Sequence, residues 1–298
     1  MKIRLIGLGK MGLNLALNMK DHKHHVIGYD ATESQRTVAR NSGLEVAESM
    51  EEILHGDEQK IVWLLVPAGA ITELVINQLK DSLNKGDVVI DGGNSNFNDS
   101  LRRYQLLKDK GISFIDVGTS GGTLGARHGA CLMVGGDDEV VKSIEQVFYD
   151  VSVEKGYLHV GKAGSGHYVK MVHNGIEYGM MQAIGEGYDL MQHSQFDVDY
   201  EAISDVWNHG SIISSALIGY TKDAFNKDAK LNEIAGRIDD SGEGMWMIEE
   251  ALKQKVSLPV ITASLFARFK SKDESMFGEK VVAAMRKEFG GHAVYKKK

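Results

Sequence analysis

A doubly wound α/β sheet followed by an all-α domain is the architecture that this 298-residue sequence predicts. Two observations carry that expectation. Up to about Ala163, short unbroken apolar runs alternate with amphipathic ones, the pattern of a mainly parallel sheet covered on both faces. Beyond Gly164 the strand-like runs stop and long helical periods take over. The domain division is therefore placed at residues 1–163 and 164–298.

The elements follow in order. Ile3–Gly7 reads as a strand and Met11–Lys20 as the helix after it. Val26–Asp30 is an apolar run closed by a carboxylate, and Ser34–Ser42 is the next helix. Ile61–Val66, Val88–Asp91, Phe114–Val117, Cys131–Val134 and Leu158–Val160 follow as strands, with Ile71–Leu79 and Asn98–Lys110 as helices among them. The second half reads as helices Ser165–His193, Tyr200–Trp207, Ile212–Phe225, Trp246–Lys255, Pro259–Phe269 and Glu279–Phe289. Pro259 suits a first helical turn, where its missing N–H has no partner to lose. The long helix carries Gly166, Gly175, Gly179, Gly185 and Gly187. Each disfavours an isolated helix by roughly 1 kcal/mol relative to alanine, so close packing on the first domain and on a partner subunit is expected. Trp207 and Trp246 are expected in the core.

Composition narrows the function classes. Hydrophobic residues make up 43% and charged residues 25%, ordinary for a globular protein, and the formal charge is −7. That balance argues against a general nucleic-acid or anionic-membrane binder, and Lys296-Lys297-Lys298 reads as a solvated run. Met1–Ile6 reads as a strand rather than a leader, and no apolar run approaches membrane-spanning length, so a cytoplasmic location is expected. The single cysteine, Cys131, is expected as a buried strand residue. His22, His24 and His25 are expected at the surface, and no cluster has metal-ligand spacing, so no metal is expected.

The turn Gly7-Leu8-Gly9-Lys10-Met11-Gly12 follows a strand and opens a helix, and Asp30 closes the next strand. In that context the glycines mark a Rossmann-like dinucleotide site. Gly7 permits the tight turn, Gly9 lets the backbone approach a pyrophosphate, and Gly12 allows the helix to pack on the strand. The helix N-terminus then holds phosphates. A carboxylate at Asp30 accepts hydrogen bonds from the ribose hydroxyls and repels a 2′-phosphate, and the next arginine comes only at Arg36. NAD is therefore expected over NADP. Val66-Pro67-Ala68 follows another strand and is expected beside the cofactor, although a plain turn explains it equally well.

The segment Lys170-Met171-Val172-His173-Asn174-Gly175-Ile176-Glu177-Tyr178 places Lys170, His173, Asn174 and Glu177 on one helical face. A polar stripe beside Met171, Val172 and Met181 makes sense where it lines a pocket. Asp91–Ser95 and Val117–Gly122 follow strands and offer backbone N–H groups with small polar side chains to an anionic or polyhydroxylated ligand.

On Gly7–Gly12, Asp91–Ser95, Ser120–Gly122, Gly164–Tyr178, Phe266-Ala267-Arg268 and Phe289-Gly290-Gly291-His292, the chain resembles the 6-phosphogluconate dehydrogenases of the 3-hydroxyacid dehydrogenase superfamily, in their short form. The resemblance implies Lys170 as catalytic base and Glu177 as acid. It implies that Asn94, Ser120, Gly121 and Gly122 hold the substrate carboxylate, with Asn94 also at the cofactor. His173 and Asn174 would hold hydroxyls and the carboxylate, and Tyr178, Arg268, Arg286 and His292 would gather at a phosphate. It further implies a homo-oligomer, dimer or tetramer, in which the tail residues Arg286 and His292 complete the neighbouring site. Two departures stand out. The stretch Ser241-Gly242-Glu243-Gly244-Met245-Trp246 lacks the lysine of the long enzymes' phosphate loop, and Asp30 points to NAD where those enzymes usually use NADP.

The expected reaction is oxidative decarboxylation of 6-phosphogluconate to ribulose 5-phosphate. A lysine titrates near about 10.4 in water, and burial beside a cationic ring makes it a usable base. Two alternatives stay open: NAD-dependent oxidation of a non-phosphorylated 3-hydroxyacid, and a non-catalytic NAD-binding sensor.

Overall fold

The computed structural model describes residues 1–295, so the terminal lysines 296–298 lie outside the described residues. The chain forms two compact units, Met1–Asn174 and Gly175–Lys298.

The first unit runs β1 (Lys2–Ile6), α1 (Lys10–Asp21), β2 (His25–Tyr29), α2 (Glu33–Asn41), β3 (Glu45–Val46), α3 (Met50–Ile53), β4 (Ile61–Leu64), α4 (Ala70–Ser82), β5 (Val88–Asp91), α5 (Phe97–Lys108) and β6 (Ser113–Ser120). It continues through α6 (Gly122–His128), β7 (Ala130–Gly136), α7 (Asp138–Ser143), α8 (Glu145–Asp150) and β8 (Ser152–Gly161), and ends in the first turns of α9 (Ser165–Gln192). One sheet has the order β3-β2-β1-β4-β5-β6-β7-β8. Every pairing is parallel except β6 with β7. The link between those two holds only α6, shorter than the dozen or so residues a parallel crossover needs. Alternate strand residues fall into two separate cores: Ile3, Leu5, Ile61, Trp63, Val88 and Ile90 in one, Ile6, Val62, Leu64 and Val89 in the other. The sheet is thus covered on both faces, as its unbroken apolar strands require.

The second unit holds α9 from Gly175 onward, α10 (Tyr200–Trp207), α11 (Ala216–Lys227), α12 (Glu243–Gln254), α13 (Pro259–Ser271) and α14 (Phe277–Gly290). Tyr188, Tyr200 and Phe225 form a small core with Trp207 partly buried against it; Trp246 is half-buried. A Cβ at Gly175 would stand 2.1 Å from the Met247 sulfur, so glycine lets α12 approach α9. Gly185 and Gly187 meet no neighbour within 4 Å. No residue of α14 is buried.

The structure corrects several expectations. Cys131 is exposed; strand alternation turns Ala130 and Leu132 into the core and Cys131 away from it. His24 is buried, its ring 2.9 Å from the Asp150 carboxylate and 3.2 Å from the Met1 amine, while His22 and His25 stay exposed. Burial lowers the His24 pKa despite Asp150. The third helix of the second half starts at Ala216, not Ile212, because the Ser215 hydroxyl accepts the Ile218 N–H (3.3 Å) and caps it there. β8 begins six residues before the expected Leu158, its polar start unreadable as an apolar run. No helix among the described residues is long and apolar enough to cross a membrane.

Candidate active site

Because β1, β2, β4, β5 and β6 are parallel, the segments that follow them share one edge of the sheet. The glycine turn lies after β1. Gly7 has φ +102°, and a Cβ there would stand 2.4 Å from the Leu65 carbonyl oxygen. A Cβ on Gly12 would come within 1.8 Å of the Gly7 carbonyl oxygen, so only glycine lets α1 start so close to the strand. A Cβ on Gly9 would meet nothing within 4 Å. No side chain caps α1 and no acidic residue lies in its first turn. Its leading N–H groups, at Lys10, Met11 and Gly12, therefore stay available to phosphates. The turn fits a dinucleotide.

Asp30 stands just past β2. Its carboxylate accepts the Leu8 N–H and the Thr32 N–H, each at 2.8 Å, one on each oxygen. Each oxygen keeps a lone pair for a ribose hydroxyl. Arg36 reaches back to the same place, its guanidinium donating to the Asp30 carbonyl oxygen (2.7 Å), but it is also paired with Glu33. Val66 is half-buried and Pro67 and Ala68 are exposed, with the Pro67 carbonyl oxygen accepting the Thr72 hydroxyl (2.9 Å).

After β5, the buried Asp91 carboxylate shapes the next loop. It accepts the Gly93 N–H (3.1 Å), the Ser95 hydroxyl (2.9 Å) and the buried Arg103 guanidinium (2.9 Å). Asn94, between the two anchored residues, is left exposed. After β6, Gly121 and Gly122 both have positive φ, +119° and +61°, and both are exposed.

The opening of α9 brings Lys170, His173 and Asn174 to Ser120, the last residue of β6. Lys170 is only 8% exposed, and its Nζ lies 3.5 Å from His173 Nδ1. His173 Nε2 lies 3.1 Å from the Ser120 hydroxyl, and Nδ1 lies 3.0 Å from Asn174 Oδ1. In the neutral ring this is consistent with Nδ1–H donating to Asn174 and Nε2 accepting from Ser120. Asn174 is 8% exposed. Lys170 is thus held, nearly buried, beside the His173 ring near the end of β6, a setting suited to proton transfer at a hydroxyl.

In the second unit, Glu177 is half-buried and Tyr178 buried on the next turns of the same helix. Arg268 is 9% exposed, so it does not snorkel to solvent. Its guanidinium lies 3.6 Å from the Tyr178 ring centre and donates to the Asp239 carbonyl oxygen (2.7 Å). The Ser241 N–H donates to the Tyr178 hydroxyl (3.3 Å), and the Ser241 hydroxyl donates to Glu243 (2.7 Å). Glu243 is 1% exposed, and its Oε1 has no partner among the described residues. Arg286 and His292 are exposed, on α14 and just beyond it.

Sequence reasoning missed Asp116, Ser100, His167 and Glu243. Asp116 had a readable signal, a carboxylate inside the apolar run Phe114–Val117. Among the described residues no group of three His, Cys, Asp or Glu could hold a metal ion.

A sequence profile described as the NAD binding domain of 6-phosphogluconate dehydrogenase matches residues 2–161. One described as the 6-phosphogluconate dehydrogenase C-terminal domain matches residues 166–292. YqeC of Bacillus subtilis (strain 168), provisionally named a 6-phosphogluconate dehydrogenase, is 50% identical over the whole of both chains. The NAD(+)-dependent, decarboxylating 6-phosphogluconate dehydrogenase of Haloferax volcanii is 38% identical over 100% of this chain and 99% of its own. The Plasmodium falciparum 6-phosphogluconate dehydrogenase structure superposes with TM-score 0.84 at 30% identity, covering 100% of this chain and 66% of that one. A 3-hydroxyisobutyrate dehydrogenase of Mycobacterium tuberculosis shares the fold, with TM-score 0.73 at 19% identity over 91% and 94% of the two chains.

Proposed function

This chain belongs to the 6-phosphogluconate dehydrogenase family of nicotinamide-dependent oxidoreductases, and from that premise we propose that it converts 6-phosphogluconate to ribulose 5-phosphate and carbon dioxide with NAD. The observation that carries the reading is the near-burial of Lys170 beside His173, Asn174 and Ser120. Bound NAD would supply the hydride acceptor. Lys170 would take the proton of the 3-hydroxyl as hydride leaves the same carbon. The resulting 3-keto acid loses carbon dioxide, and the electrons of the broken bond pass to the ketone oxygen. Lys170, now protonated, would donate to that oxygen as its charge develops. Glu177 would then supply the proton at carbon 1, and the enediol becomes the ketose.

In this reading Asn94, Ser120, Gly121 and Gly122 hold the carboxylate, and His173 and Asn174 the hydroxyls. Tyr178 and Arg268 stand at the phosphate, joined by Arg286 and His292 of a second copy. An oligomer is supported by α14, which exposes Phe277, Val282, Met285 and Phe289 together. The functional division at residues 163/164 and a cytoplasmic location belong to the same proposal.

The test is reduction of NAD or NADP, followed at the absorbance band of the reduced nicotinamide, with 6-phosphogluconate as substrate. NAD reduction with one carbon dioxide per turnover is the expected result; no reduction of either cofactor would sink it. Asp30→Asn keeps an acceptor but removes the charge. It is expected to raise the NADP-to-NAD ratio of kcat/KM at least about tenfold, the scale of one removed repulsion. An unchanged ratio would remove Asp30 as the discriminator.

One observation favours a second reading, a non-phosphorylated 3-hydroxyacid. The loop beside Tyr178 carries the buried Glu243 carboxylate and no lysine. Arg268→Ala separates the two. If phosphate binds there, kcat/KM for 6-phosphogluconate falls about 10- to 100-fold, the scale of a lost charged hydrogen bond, while a non-phosphorylated acid is unaffected. Equal losses for both substrates would point to a packing role for Arg268 instead.

A further inference from the structure

Asp116 lies in the middle of β6 and is fully buried, between Ile115 and Val117. A carboxylate in such a place is tolerated only when its oxygens are hydrogen-bonded. One oxygen accepts the Gly164 N–H at 2.6 Å and the other the His167 N–H at 2.8 Å. Both donors belong to the opening turn of α9, whose N–H groups have no partner within the helix. His167 is itself 1% exposed and extends the chain: its Nδ1 lies 2.7 Å from the hydroxyl of the fully buried Ser100 on α5. Burial pushes the Asp116 carboxyl up, and the neighbouring His167 and the two N–H donors pull it down.

Around this capping point the backbones meet with no room for side chains. A Cβ on Gly166 would stand 2.4 Å from the Asp116 carbonyl oxygen and 2.6 Å from that of Met133. A Cβ on Gly135 would stand 2.7 Å from the Gly166 nitrogen. The first turn of α9 is therefore pressed onto β6 and β7 by glycine and tied there by Asp116. Lys170 follows His167 by three residues, just under one turn.

We propose that Asp116, acting through the opening turn of α9 and the His167–Ser100 pair, is the positioning residue that sets where Lys170 stands. The proposal rests on the reading of Lys170 as the base. A carboxylate suits the task because its two oxygens accept two divergent N–H groups. An asparagine has one acceptor oxygen, so its amide N–H₂ would face one of those donors and displace the helix start.

The experiment is Asp116→Asn in the full chain, with Ser100→Ala as a milder variant that loses only the hydroxyl. Steady-state kinetics and amide hydrogen exchange over residues 164–174 are read together. For Asp116→Asn, kcat is expected to fall about 10- to 100-fold, the scale of an ångström-level misplacement. The KM for NAD should stay within about twofold, because the dinucleotide turn is untouched. Amide exchange at Gly164 and His167 should speed up while the remainder of the first unit stays protected. Ser100→Ala should change the same two readouts in the same direction, by less, and it keeps the test open should Asp116→Asn not fold. Unchanged exchange over 164–174 in both variants would overturn the proposal. So would a loss of kcat matched by an equal rise in the KM for NAD, which marks general unfolding of the unit. Wild-type protein that turns over no hydroxyacid, with the exchange result as expected, would sink the reading of Lys170 and leave the tie between Asp116 and α9 standing.

Discussion

Replacing Lys170 by alanine is expected to lower kcat by about 10³-fold or more while leaving NAD binding within about twofold, as for loss of a general base that also polarises the carbonyl. The physical ground is the near-burial of the amine and its position 3.5 Å from His173. The dinucleotide turn lies after β1 and owes nothing to this side chain. Stopped-flow and steady-state rates, with NAD titrated by fluorescence, check both halves. A variant retaining a tenth of wild-type kcat would remove Lys170 from the chemistry. A variant that loses NAD binding as well would point to damage in the fold instead.

The second large effect is expected from Gly118→Ala, a change of one methyl group on β6. The new Cβ would stand 2.4 Å from Lys170 Cβ, 2.9 Å from the Gly166 carbonyl oxygen and 3.1 Å from Lys170 Cγ. The two nearest of these atoms are fixed by the backbone of α9, so the clash cannot be relieved by a swinging side-chain tip. Overpacking of this kind costs about 1–3 kcal/mol of stability. The helix must back away from the sheet, and Lys170 moves with it. A fall in kcat of about 10²-fold is expected, together with a lower denaturation midpoint. Urea titration and rate measurements on the same preparation check it. A variant with wild-type kcat would show that the approach of α9 to β6 does not govern the site.

Much of the site was legible because it is local. Gly7, Gly9 and Gly12 sit within one turn, and their spacing alone encodes the close approach of α1 to β1 that the backbone geometry bears out. Lys170, His173 and Asn174 share a helical face by periodicity, and the structure brings them to Ser120. The strands of the sheet were legible as apolar runs because both faces are covered. What escaped was non-local or too short to have a period. The links His167–Ser100 and Asp116–Gly164 join residues far apart in the chain. Glu243 lies in a short polar stretch, and its burial beside Ser241 comes from packing that no local pattern encodes. His24 and Cys131 were misplaced for the same reason: residue type sets an average burial, and the neighbours set the actual one.

The amino-acid sequence alone determined the α/β-then-α order, the dinucleotide turn, the carboxylate closing β2 and the polar stripe of α9, because each is written within a few residues as a period or a spacing. The tertiary structure alone decided the reversal of β7, the burial of Lys170, Arg268 and Glu243, and the tying of α9 to Asp116. Desolvation and hydrogen-bond partnership are properties of a neighbourhood assembled from distant segments, and no local pattern carries them.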